Sequence, residues 1–224
     1  MLTQEEKEFW EENECKNFPI ECNGKVVWRS RSVAVVGFIY YEDGDKVFIL
    51  ANKRGSGTPD FQHCWNVTCG YLDYNEDGQQ GTARELLEET GLEIDPKFLK
   101  LLYVNSDPQD SNRQNISLRH GYILSKKEAL SLKFSTEKSE EDEVEGIKWI
   151  SLNELDNYQW AFNQRKLIEP MYEKLKERTI VIKHKMTIED LQKLQSELTS
   201  ALSEVNSKID LYNKCIQSNI EFPS

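Results

Sequence analysis

Glu85, Glu88 and Glu89 place three carboxylates within five residues, and Glu76 adds a fourth nine positions before the first of them. In the surrounding stretch RELLEETGL, 84–92, Arg84 is the only base. On a helix, residues three and four apart share a face, so these acids converge. Like charges that close destabilise a helix unless something positive stands between them. Arg84 alone cannot neutralise three carboxylates. An oxygen-only donor set, without thiolate or imidazole, suits Mg²⁺ or Mn²⁺ rather than zinc. Such an ion bridges phosphate oxygens and activates water. Leu86 and Leu87 read as the packing side of this helix. Taken from these nine residues alone, a solvated acidic helix is the competing reading.

The elements around this stretch must hold it. Residues 79–90 read as the helix, ending at Gly91, a residue suited to a left-handed C-terminal cap. Upstream, SVAVVGFIYY (32–41) and KVFILANKR (46–54) flank Asp43-Gly44 as a hairpin. A short strand is expected over 25–29, a flexible loop over 55–60, and a strand over 64–70 that ends in a glycine turn. Downstream, strands are expected over 97–106, 116–125 and 146–155, the last running into a helix start. Polar loops are expected over 107–114 and 134–145. A helix is expected over 163–177, kinked or broken at Pro170, and another over 3–14, capped by Thr3.

The balance of 39 acids against 28 bases, a net charge of -11, argues against binding nucleic acid through a basic footprint. It leaves phosphate substrates open, because a divalent ion can supply the attraction. Five cysteines, an odd number with no close metal-binding pair, fit reduced thiols in a cytoplasmic protein. The acidic start MLTQEEKEFW lacks the apolar run of a signal peptide, and no stretch is apolar enough to span a membrane.

The spacing around the acids is specific. Gly70 is followed after five residues by Glu76 and after seven more by Arg84-Glu85-Leu86; one residue separates this from Glu88-Glu89, and one more from Gly91-Leu92. This resembles the Nudix box, which has a fixed Gly, Glu, Arg-Glu, aliphatic, Glu-Glu, Gly and aliphatic residue in that spacing. The resemblance implies an α/β fold, a Nudix-type α/β/α sandwich with a mixed sheet, over 25–178. An N-terminal helix and lead-in (1–24) would precede it, and a C-terminal helical extension (179–224) would follow. It implies metal-dependent hydrolysis of a nucleoside diphosphate linked to another group, such as ADP-ribose, or of a nucleoside triphosphate. Glu85, Glu88 and Glu89 would ligate Mg²⁺ (or Mn²⁺). Arg84 would fix Glu76 or Glu85, Gly70 would permit a tight turn after the strand, and Gly91 would end the helix. The water-activating base varies across the family; Glu143, in the acidic run before Trp149, is the candidate here.

Three departures matter. Thr68-Cys69-Gly70 stands where many members read Pro-Gly-Gly. Asn75 stands where glycine often precedes the loop glutamate, an exchange that is mild because Asn tolerates a left-handed backbone. Cys69 resembles a catalytic cysteine of isopentenyl-diphosphate isomerase, a relative, but Tyr71 replaces that enzyme's metal-binding histidine. An isomerase-like enzyme and a non-cutting nucleotide sensor therefore stay as alternatives.

Substrate contacts are expected from bases beside strand ends and from aromatic rings. Arg54 leads into the loop that faces the box in this fold class, and Arg113 flanks a later strand. Phe61, Trp65, Tyr71 and Tyr103 could stack on a base. Beyond residue 180, apolar residues recur at Leu191, Leu194, Leu198, Ala201, Val205, Tyr212 and Cys215, interrupted at Lys208 and widened by Leu202, Ile209 and Ile216. The seam predicts a long helix that either packs on its own domain or pairs in a homodimeric coiled coil.

Overall fold

The structure, a computed structural model, describes residues 17–22, 24–109, 115–184 and 188–217. The expected helix over 3–14 lies outside these residues, as does Arg113. The chain divides into two units, Met1–Leu175 and Lys176–Ser224.

The first unit begins with an antiparallel hairpin of β1 (Phe18–Cys22) and β2 (Lys25–Arg29), a sheet of its own. The main sheet contains β3 (Val33–Asp43), β4 (Lys46–Arg54), β5 (Trp65–Asn66), β6 (Cys69–Tyr71), β7 (Lys100–Asn105), β8 (Ile116–Leu124) and β9 (Val144–Ser151). Its order is β5-β4-β3-β8-β7, with β6 on β3 and β9 on β4. The β3–β8 pair is parallel and the others are antiparallel, so the sheet is mixed.

β3 changes neighbours along its length. Tyr40–Asp43 pair with β4, whereas Ala34–Val36 pair with β6. Residues 64–70 are therefore not one strand. Two short strands, β5 and β6, serve different partners, and β6 fills the gap where β4 leaves β3.

Strand alternation sorts the buried residues between two cores. Ile39 and Tyr41 join Leu50, Leu86, Leu92 and Leu99 beneath α1 (Gly78–Thr90) and α2 (Lys126–Ser131). Val36, Phe38 and Tyr40 join Ile168, Met171, Tyr172 and Leu175 of α3 (Arg165–His184) on the other face. Each core excludes water from one side of the sheet, which is the α/β/α sandwich.

Several elements differ from expectation. α2 was not anticipated: six residues are too few to show periodicity. Its capping box is nonetheless present, with Ser125 accepting from Glu128 N and the Glu128 carboxylate accepting from Ser125 N. A 3-10 turn over Pro96–Phe98 precedes β7, and another over Leu152–Asn157 replaces the helix start after β9. α3 runs through Pro170 rather than breaking there, and extends to His184. The loop over 55–60 is pinned rather than loose. Gly55 N donates to the Glu143 carbonyl at 2.7 Å, and Gly57 N donates to the Asp142 carbonyl at 2.8 Å.

The second unit contains α4 (Ile188–Gln217), 30 residues long. Among the described residues no helix is long and apolar enough to cross a membrane.

Candidate functional site

The site is built on α1. Asp77 caps its first turn by accepting from Gln79 N and Gln80 N, and Gly91 closes it in the left-handed region with φ 76°. The buried stripe of this helix is Gly81, Thr82, Glu85, Leu86, Glu89 and Thr90. Two of the acids thus share the packing face with Leu86, while Leu87 is only half-buried. The expected division into an apolar side and an acidic side does not hold, because 81, 85 and 89 follow each other at intervals of four.

Arg84 organises the exposed edge of the helix. Its Nη1 donates to Glu85 Oε1 at 2.8 Å and to Glu88 Oε2 at 3.0 Å. Its Nη2 donates to Glu76 Oε1 at 2.8 Å and to the Tyr71 carbonyl at 2.9 Å, and Nε reaches Glu76 Oε2 at 3.1 Å. The sequence left Glu76 and Glu85 as alternative partners; the fork holds both and Glu88 as well. The hydrogen bonds from Arg84 keep the Glu76 carboxyl below its ordinary range.

Glu89 lies deeper, only 2% exposed. Its Oε2 accepts from Asn52 Nδ2 at 3.2 Å and from Cys69 N at 3.3 Å. Burial, then repulsion by Glu85 and Glu143, pushes its carboxyl upward. Burial likewise pushes Glu85 up to about 7, against the pull of Arg84.

Gly70 is required for space rather than for a turn. Its backbone is extended in β6, and a Cβ there would stand 2.1 Å from Glu85 Oε1. The bare backbone lets the Glu85 carboxylate lie against the strand. Asn75 takes φ 70°, as its side-chain type allows.

A cavity of about 660 Å³ opens beside α1. Glu85, Glu88, Arg84, Gly70 and Tyr71 line one part, Glu143 and its loop another, and Arg54, Phe162 and Gln164 a third. Its floor is a patch of sheet on the α3 side. Val36 pairs with Cys69 on one edge and Arg119 on the other, and Ala34 with Tyr71 and Ser117. Glu143 Oε2 accepts from Ser139 Oγ and Glu140 N, each at 3.4 Å.

The other expected contacts divide. Tyr71 and Arg54 line the cavity, but Arg54 is tied to Asp60 by its Nε and Nη2, both at 3.1 Å. Trp65 does not line it, packing edge-on against Tyr158 at 5.6 Å. Phe162, Gln164, Asn105, Ser117 and Arg119 belong to the lining although most carried no signal in sequence. Cys69 accepts from Asn66 Nδ2 and Gln164 Nε2, and its thiol is pushed up to about 12, first by burial and then by Glu89. It stays protonated near neutrality, which does not suit proton abstraction.

A hard divalent ion fits this site in donor chemistry and charge. The donors are oxygens, burial and then neighbouring carboxylates hold Glu89 above its ordinary range, burial holds Glu85 up against the pull of Arg84, and the buried Asn52 Oδ1 accepts from no group among the described residues. In this arrangement, however, no three acidic, imidazole or thiol groups among the described residues are gathered closely enough to share an ion. Glu85 and Glu88 spend oxygens on Arg84 instead.

The NUDIX domain, as a family profile, matches residues 30–171. The chain belongs to the Nudix family. The Nudix fold recurs in solved structures of low identity. The NUDIX domain of Shewanella oneidensis NrtR, complexed with ADP ribose, is 16% identical at a TM-score of 0.55, over 78% of this chain and 99% of that one. A bifunctional NMN adenylyltransferase/ADP ribose pyrophosphatase from Francisella tularensis, complexed with AMP and a Mn ion, is 22% identical at a TM-score of 0.53, over 65% of this chain and 42% of that one. No curated protein matches the sequence. The Nudix box thus sits where the matched fold spans it, with Gly70 on β6, Glu76 in the connecting loop and the remaining acids on α1.

Proposed function

We propose that this Nudix protein is a pyrophosphohydrolase acting on a nucleoside diphosphate linked to a second group, ADP-ribose being the type. The observation that carries this reading is the common cavity of Glu85, Glu88 and Arg84 with Glu143 on the facing loop. Two structurally similar proteins, solved with ADP ribose and with AMP and manganese, support the ligand class. In the reaction, water attacks a phosphorus of the diphosphate and the bridging P–O bond breaks. Glu143 takes the water proton, and two phosphate monoesters leave. Glu85, Glu88 and Glu89 would hold Mg²⁺, with Mn²⁺ an alternative; the ion would supply positive charge to the diphosphate oxygens. Arg84 orients Glu85 and Glu88, and Glu76 orients Arg84. Gly55 and Gly57 anchor the loop that carries Glu143, since each donates its N–H to that loop's backbone.

A second reading has one specific observation behind it. Arg84 already satisfies Glu85 and Glu88, and no three-ligand cluster is formed among the described residues. A nucleotide-binding module that does not cut would need no more than this.

Mass spectrometry of products separates the two. The protein is incubated with nucleoside triphosphates, ADP-ribose, other nucleotide sugars and isopentenyl diphosphate, with Mg²⁺ and with EDTA. The enzyme reading expects a metal-dependent nucleoside monophosphate together with a sugar phosphate. In Glu89→Gln this release should fall by at least about 100-fold with the fold retained, as the loss of a charge-stabilising group costs elsewhere. Tight binding without turnover of any substrate would overturn the enzyme reading.

A further inference from the structure

Phe162 is presented to the cavity at a conformational cost. It has φ 52°, and Asn163 next to it has φ 57°. For a bulky aromatic residue the left-handed region is an outlier, kept only when its surroundings impose it. Here they do. On one side Ala161 N donates to the Trp65 carbonyl at 2.8 Å. On the other, the buried Gln164 accepts from Val67 N at 2.7 Å through its side chain, and its own N–H returns to the Ala161 carbonyl at 3.0 Å. The turn is thereby locked between β5 and the start of α3.

The strain does not serve the core. Phe162 is half-buried and belongs to neither hydrophobic cluster, yet it lines the cavity. Its ring is braced by two neighbours, one of which, Arg54, also lines the cavity. The Arg54 guanidinium lies 4.8 Å from the ring centroid, and Phe61 meets it edge-on with centroids 4.8 Å apart. Phe61 is itself left-handed, with φ 50°. Arg54 is fixed in turn by Asp60, and Thr58 Oγ1 ties the same loop by donating to the Gly55 carbonyl at 2.8 Å. Two loops far apart in sequence each hold an aromatic residue in an unfavourable backbone so that the rings meet at the edge of one cavity.

We propose that Phe162 is the specificity residue of this site: its ring, braced by Arg54 and Phe61, is the platform on which the nucleobase of the substrate stacks. The assignment rests on reading the cavity as a nucleotide site, and it deepens that reading by naming the part of the nucleotide that is recognised. A rigid ring suits this role, because stacking on a platform fixed in advance orders little on binding. Stacking tolerates any base, so the platform separates nucleotides from ring-free phosphates rather than one base from another.

The test needs binding alone, so it stands apart from whether the protein cuts. Affinities for AMP and for ribose 5-phosphate, which lacks the base, are measured by calorimetry. The wild-type protein should prefer AMP by about 10- to 100-fold, the range of one base–aromatic stack. Phe162→Gly should abolish that preference and leave ribose 5-phosphate affinity unchanged; Phe162→Trp should keep it. Glycine adopts φ 52° without strain, so the first variant is expected to fold. If it does not, Phe162→Asn, which also tolerates this region, replaces it. Equal wild-type affinity for the two ligands overturns the platform, as does an AMP preference that survives in Phe162→Gly. A platform that binds AMP as expected in a protein that releases no product overturns the hydrolase reading and keeps this one.

Discussion

Arg84 donates to three carboxylates and a carbonyl, and this arrangement explains how α1 tolerates its acids. The fork geometry is essential, because a lysine offers one point charge and cannot span Glu76, Glu85 and Glu88 together. Glu85 is also placed from the other side, by the absence of a side chain at Gly70. This gives a prediction at the scale of one atom. In Gly70→Ala the new Cβ would fall 2.1 Å from Glu85 Oε1, closer than atoms approach. The carboxylate must turn away and give up its bond to Arg84. Turnover is expected to fall by about 100-fold, the cost of displacing a site group by roughly 1 Å. A steady-state kcat within threefold of wild type would show that Glu85 is not where the chemistry needs it.

At the scale of elements, the contact between α1 and β8 makes the fold sensitive to pH. His120 on β8 is buried, with Nδ1 2.9 Å from Thr82 Oγ1 of α1. Thr82 spends its only hydroxyl proton on the Gly78 carbonyl at 2.7 Å, so the Nδ1–H of a neutral imidazole is the donor. Burial pushes His120 down to about 4, against a modest upward pull from Asp77. The folded value lies below the unfolded one, so the unfolded chain binds the proton first. The stability this site contributes is complete above the unfolded value near 6.5 and is lost as pH falls towards 4. Between pH 7.5 and 5 the loss should reach roughly 2 kcal/mol. Glu85 and Glu89, both held above their ordinary range, shift stability the opposite way over this interval. The His120 contribution is therefore read as a difference: in urea titrations at both values the wild type is expected to fare about 2 kcal/mol worse on acidification than His120→Gln. Equal changes in the two proteins would remove His120 from the explanation.

At the scale of the whole molecule, α4 carries an apolar seam of partly exposed side chains. Leu198, Leu202, Val205, Ile209 and Tyr212 are 50–65% exposed and alternate at spacings of four and three. This line includes Leu202 and Ile209 and avoids Lys208, so the interruption expected from the sequence disappears when the register moves by one flank. A seam of this period fits a second helix of the same period, and another copy of this chain supplies one. We expect the full chain to sediment as a dimer and a chain ending at residue 178 as a monomer. A dimer that persists in the shortened chain would place the interface elsewhere.

The box from Gly70 to Leu92 was legible as a pattern because its residues are close in sequence and each acts locally, as a cap, a helix end or a fork of charge. Fixed spacing therefore named the acid helix, its arginine and the Nudix family before any tertiary contact was known. Hydrophobic alternation and turn residues likewise foretold β3, β4 and β8. What lay beyond them was decided by contacts between distant segments. β6 takes its place because β4 leaves β3 midway, and Gly70 matters because α1 presses Glu85 against it. Two of the acids share the buried face with Leu86 because the helix turns intervals of four towards the sheet. Phe162 enters the cavity only because Gln164 locks a turn to β5 and Arg54 reaches over from β4. None of this has a sequence signature, since it depends on atoms that folding alone brings together.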